Sequence, residues 1–253
     1  MTPPPPSNSA GESSESERAA SPAATDEPRA KRYKFGASIT ILAGWDKQPF
    51  KVDEDEVCAK SGFVASACST SWKEGQEKVI RVEDVKPRVM EQYINWVYKD
   101  KVPLASEFID EEIDGDAEYK HHVELYLAAQ LLQDDVLQIL LIDSLLLTFP
   151  RCGEVTWGKL VKKVWPDVGF TMKESELRRL MIDTTLFCAE SGETLFDWLQ
   201  PDSQPIDFVH SVGQRAVQGL GKPKDTLDPK SNDKCYYHDH EDGEKCGMLL
   251  AQD

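Results

Sequence analysis

Val123-Glu124-Leu125-Tyr126-Leu127-Ala128-Ala129-Gln130-Leu131-Leu132-Gln133-Asp134-Asp135-Val136-Leu137-Gln138-Ile139-Leu140-Leu141-Ile142-Asp143-Ser144-Leu145-Leu146-Leu147-Thr148-Phe149 is the most strongly patterned stretch of the chain. Its apolar side chains recur at helical spacing on both sides of a polar break. Val123, Leu125, Tyr126, Leu127, Ala128, Ala129, Leu131 and Leu132 make a first helix, and Gln133-Asp134-Asp135 interrupts it with an Asp at a cap position. Val136 to Leu147 makes a second helix that is apolar on nearly every side. Such a helix must be buried all round or covered by a partner.

Working back toward the N-terminus, short elements precede this hairpin. Ile39-Thr40-Ile41-Leu42 and Phe50-Lys51-Val52 read as strands, joined by a turn from Gly44 to Pro49. Asp53-Glu54-Asp55-Glu56 follows, an Asp cap with acidic groups suited to the positive end of a helix. Val57, Cys58, Phe63, Val64 and Ala67 give the apolar face of two short helices broken at Ser61-Gly62. Trp72-Lys73-Glu74-Gly75-Gln76-Glu77 is expected to set an aromatic anchor on the core before a polar turn. A third strand, Val79-Ile80-Arg81-Val82, leads through Asp84 and Pro87 to a helix carrying Val89, Met90, Tyr93, Ile94, Trp96 and Val97. Leu104 to Tyr119 is crowded with acids and shows no helical period, so it reads as a flexible acidic insertion.

The β-β-α-α-β-α-α-α order resembles the BTB/POZ domain, in the short form common in filamentous fungi. Leu125-Tyr126-x-Ala128-Ala129-x-x-Leu132-Gln133-Asp134 is close to the family's L-Y-x-L-A-x-x-L-Q-D. The Ser61-Gly62-Phe63 break, the Trp72 segment and the Trp96-Val97-Tyr98 helix ending are similar to their counterparts there. Leu177-Arg178-Arg179-Leu180 followed by Asp183 resembles a step of the same group. The resemblance implies an α+β fold, a small β-sheet capped by a helical bundle, and a protein-binding surface without catalytic apparatus. It also implies that Asp55, Val57, Cys58 and Phe63, on the first helix and just after it, lie at or near a dimer interface. Ile109-Asp110-Glu111 fits the hydrophobic-x-Glu step with which BTB adaptors meet a cullin, which makes Ile109 and Glu111 further interface candidates.

The expected organisation is a disordered tail over 1–34, a BTB/POZ domain over 35–150, a helical extension over 151–220 and a polar tail over 221–253. Residues 1–34 are rich in Pro, Ser, Ala and Glu, too poor in large apolar groups to offset the entropy of ordering. In the extension, Val155–Trp165, Glu174–Ala189 and Ile206–Val217 carry helical periodicity, with Arg178-Arg179 opposite the apolar side of the second segment.

A net charge of −16 argues against general nucleic-acid binding, which draws on clustered Lys and Arg. Neither a secretory leader nor a membrane-length apolar run is legible, so an intracellular protein, cytoplasmic or nuclear, is expected. In that compartment the six Cys should be thiols or metal ligands. Cys58, Cys68, Cys152 and Cys188 lie in amphipathic or apolar contexts and read as small hydrophobes. Cys235, His238, His240 and Cys246 place two thiols and two imidazoles within twelve residues, the donor inventory of a zinc site. A solvated tail whose ligands coincide by chance is the other reading, and the spacing leaves both open.

Hydrolase, metalloprotease and dinucleotide-binding motifs are missing. Gly221-Lys222 is no phosphate loop, since Ala216 stands for its first Gly and Pro223 follows the Lys. The expected function is a non-enzymatic interaction module that forms homo- or hetero-oligomers. The alternatives are a substrate adaptor of a cullin-based ubiquitin ligase and a transcription-associated protein with a zinc-stabilised tail.

Overall fold

A three-stranded sheet takes shape around β1 (Ser38–Ala43), whose Ile39, Ile41 and Ala43 all point into the core. The alternation of buried and half-exposed positions along this strand is what a sheet with one covered face requires. In this computed structural model the described residues are 36–69, 72–108, 115–148, 154–166, 175–189, 195, 199, 204–221, 223, 228–232 and 234–238. The expected tail over 1–34 lies outside them.

β2 (Gln48–Asp53) pairs antiparallel with β1, Ile39 facing Val52 and Ile41 facing Phe50. Gly44 turns the hairpin at φ +69°, and a Cβ there would meet Pro87 Cδ at 2.8 Å, so glycine serves both the turn and the packing. β3 (Val79–Val82) returns parallel to β1 on its other side, giving the order β2-β1-β3.

Two short helices connect β2 to the third strand. Asp53 caps α1 (Glu54–Lys60) by accepting from the Asp55 and Glu56 N–H groups. Ser61 then ends α1 and starts α2 (Gly62–Ala67), its Oγ accepting from Val64 N–H at 3.0 Å and donating to Leu132 O at 2.6 Å. One hydroxyl therefore both breaks the chain and ties the break to the helical hairpin. A brief α3 (Lys73–Glu77) leads into β3, and a Cβ on Gly75 would sit 2.2 Å from Ser69 O, so only glycine fits. Trp72 does not anchor the core: it stands at the N-cap of α3 and is 62 % exposed.

α4 (Pro87–Lys99) begins with proline and buries Met90, Tyr93 and Trp96. A single 3-10 turn, Ala105–Glu107, precedes α5 (Gly115–Leu132). This helix starts eight residues before the expected Val123, within the stretch expected to lack periodicity. Tyr119, His121 and His122 are all buried along its first part. Gln133 at φ +56° turns the chain into α6 (Asp135–Thr148), and Asp134 caps it through Leu137 N–H at 2.9 Å. α6 buries Leu137, Leu141, Ile142 and Leu145, while Leu147 is 72 % exposed.

Among the described residues there follow α7 (Glu154–Val164), α8 (Glu176–Cys188) and α9 (Ile206–Gln218). α7 packs on α5 through the Trp157 and Tyr119 rings, 5.6 Å apart, and Trp157 Nε1 donates to Thr185 Oγ1 on α8. α8 packs against α6 and α9 and is buried from Leu180 to Leu186. Beyond α9 the chain does not behave as a solvated tail throughout. Pro229 and Tyr237 are buried, and two 3-10 turns, Pro229–Ser231 and Lys234–Tyr237, pack on α8. Among the described residues the class is α+β, one small sheet with a larger helical part.

Candidate interaction surface and the C-terminal segment

α1 presents Asp55, Glu56 and Ala59 to solvent. Its opposite side carries Val57, fully buried in the core, so this residue supports the helix from beneath and offers no surface of its own. Cys58 and Phe63 are half-buried and packed on the same core. Burial, with Cys68 next in importance, pushes the Cys58 thiol up to about 12, and the Cys68 thiol is raised chiefly by burial. A raised thiol pKa disfavours the thiolate, the nucleophilic form, at both positions. Cys188 is also half-buried, and Cys152 lies outside the described residues.

Near α1, Lys78 Nζ meets Glu54 Oε1 at 2.7 Å, and Tyr98 oxygen accepts from Asp53 N–H at 2.9 Å. These bonds fix α1 against β2, β3 and α4. Among the described residues β2 and β3 have no further strand beside them, so the sheet has two outer edges. Ile109 and Glu111 fall outside the described residues.

Of the four proposed zinc ligands, Cys235 and His238 are described, while His240 and Cys246 are not. His238 is buried, and its Nε2 lies 3.0 Å from Asp143 Oδ1 on α6. A carboxylate on one ring nitrogen is also the arrangement that orients metal-ligating imidazoles. Among the described residues no three His, Cys, Asp or Glu side chains gather to hold a metal. Beside His238, Tyr237 donates its hydroxyl to Asp183 Oδ2 at 2.8 Å and accepts from Asn232 Nδ2 at 3.0 Å. Burial first, then the Asp183 charge, pushes the Tyr237 phenol well above its ordinary range.

The docked segment completes a cleft of about 310 Å³ that sequence reasoning did not foresee. Its walls are Trp165, Arg178, Arg179, Asp183, Arg215 and Tyr236. Asp183 is 2 % exposed and takes Arg215 Nε at 2.6 Å and its second nitrogen at 3.3 Å. Arg178 lies over the Trp165 ring at 5.1 Å and donates to Val164 O at 2.9 Å. Burial lowers its pKa, opposed by the charge of Asp207. Arg179 lies over Tyr236 at 5.5 Å and donates to that residue's carbonyl at 2.6 Å. The two arginines expected opposite the apolar face are thus drawn into contacts with aromatic rings. The available signal was a pair of arginines near the start of a helix in a strongly acidic chain.

No helix among the described residues is long and apolar enough to cross a membrane. Compared with known proteins, the chain matches no family model and no curated protein.

Proposed function

We propose that this chain is a protein-interaction module of the BTB/POZ type that self-associates through the outer face of α1 and the neighbouring strands. One observation carries the reading: the order and pairing of the elements. A β-hairpin is followed by two helices broken at Ser61, a strand returning parallel beside β1, and a helix leading to an apolar hairpin. Ser61 and Gly62 bond directly to the turn of that hairpin, at Leu132 O and Gln133 O, so motifs far apart in sequence act as one structural unit.

The surface chemistry supports the same reading. Unpaired strand edges offer main-chain donors and acceptors to another chain. The exposed side of α1 is short and flat at Ala59, between acidic positions and Lys60. Two-fold dimers bury one such patch against its own copy, so a single bulky change on it acts twice. Sedimentation of the full chain over a wide concentration range tests the proposal. A dimer should form with rising concentration, and Ala59→Arg or Asp55→Arg should weaken it by about tenfold or more. A chain that stays monomeric throughout, or dimers indifferent to both substitutions, would overturn it.

A further inference from the structure

The cleft between α8, α9 and the C-terminal segment is positive in a chain whose net charge is −16. Three guanidinium groups line it, from Arg178, Arg179 and Arg215. Among the described residues Asp183 is the one carboxylate in the lining, and it is buried and already engaged by Arg215 and by the Tyr237 hydroxyl. Asp207 acts on Arg178 from outside the lining. The local balance therefore favours an anion.

The position of the arginines sharpens this. Arg178 is the third residue of α8 and Arg179 the fourth, at the positive end of the helix macrodipole. Cations there are disfavoured in isolation and add their field to that of the helix. Both guanidinium groups are fixed in place, one by Val164 O and the Trp165 ring, the other by Tyr236 O and its ring. An arginine has five N–H donors, and Arg179 gives one of them to the Tyr236 carbonyl. Arginines held this way have lost side-chain freedom before a ligand arrives, which lowers the cost of binding.

We infer that this cleft is a binding site for a phosphate monoester, held by Arg178, Arg179 and Arg215 between the Trp165 and Tyr236 rings. The planar fork of guanidinium matches phosphate oxygens in pairs, and arginine clusters are the usual readers of phosphorylated segments. The volume of about 310 Å³ accepts such a group with the side chain that carries it. The phosphate comes either from a phosphorylated side chain of a protein or from a small phosphate ester. The site stands apart from the proposed dimer face, since no residue of α1 or the sheet lines it. Either proposal can therefore fail without the other.

The test uses the full chain, titrated with blocked phosphoserine, with glycerol phosphate and with blocked serine, followed through the Trp165 indole and arginine Nε–H resonances. Saturable shifts with a Kd of about 1 mM or tighter are expected for phosphate-bearing probes, weakening as salt rises. Blocked serine should leave the spectrum unchanged. Tighter binding of blocked phosphoserine than of glycerol phosphate assigns the site to protein-borne phosphate, and equal or weaker binding assigns it to small esters. Arg179→Gln should weaken binding by about tenfold. Arg179 also braces the segment, so the exposed rim residue Gln218 gives a second test that spares the fold. Gln218→Glu should weaken binding and Gln218→Lys strengthen it, each by about threefold. The inference is overturned if neither phosphate-bearing probe gives saturable shifts. It is overturned equally if binding ignores the charge at position 218 in folded protein.

Discussion

Asp134 and Asp183 are both almost completely buried, at 1 % and 2 % exposure, yet the chain satisfies them in opposite ways. Asp134 sits at the turn between α5 and α6 and receives neutral donors: Leu137 N–H, Trp96 Nε1 and the Tyr93 hydroxyl, at 2.9, 2.9 and 3.2 Å. Asp183 lies in α8 and receives a guanidinium from α9 together with the hydroxyl of Tyr237, 54 residues away. The first acid caps its own helix through Leu137 N–H and takes two ring donors from α4, 38 and 41 residues away. The second joins three stretches of chain that have no common pattern. The lesson is that α4–α6 close around their buried acid with a cap and neutral donors on a strongly apolar pattern, whereas the C-terminal part is locked by an ion pair and a phenol.

The largest effect is expected where one side chain serves several elements. Asp134→Ala removes the α6 cap and strands two buried donors, and should cost about 4 kcal/mol in urea denaturation. A loss below about 1 kcal/mol would mean that the turn is not organised by this acid. Arg215→Ala leaves Asp183 buried with only the phenol as donor and should cost about 3 kcal/mol. Tyr237→Phe should cost about 1 kcal/mol and release the C-terminal segment, seen as loss of amide protection there with α4–α6 unchanged.

The smallest effect is in pH. Burial raises the pKa of Asp134, opposed by Leu137 N–H, Trp96, Tyr93 and the charge of Lys60. A raised acid binds its proton more tightly in the folded state. Its contribution to stability is therefore fullest below the ordinary aspartate value of about 3.9 and falls as pH rises through the folded value. The stability difference between wild type and Asp134→Asn should drift against wild type over that window. Glu118 and Glu124 have lowered pKa values, from His122 in the first case and from Lys163 against burial in the second. They slope the other way, which is why the difference between variants is the quantity to follow.

Much of the sheet and the first helices was legible because their determinants are local. Ser61 announced the α1–α2 break, Pro87 the start of α4, and Asp134 the cap of α6. The early start of α5 escaped because Tyr119, His121 and His122 are interrupted by Lys120 and preceded by Glu118, which mask the apolar period. Trp72 misled because a large aromatic in a patterned motif suggests an anchor, while its place at the cap of α3 leaves the ring outside. Tyr237 and the arginine cleft were hidden for a different reason. Their partners lie 54 and 57 residues away, for Tyr237 with Asp183 and for Arg179 with Tyr236, beyond the reach of any periodicity. Val57 was read both on the apolar face of the first helix and at an interface, and its full burial fits the first of these readings.

Hydrogen exchange of the full chain, measured at low and at high protein concentration, probes the proposed self-association most directly. Protection should rise with concentration across Glu54–Ala67 and the strand edges, while α8 and α9 stay unchanged. Exchange that is the same at both concentrations, or new protection confined to α8 and α9, would contradict a self-associating module built on α1.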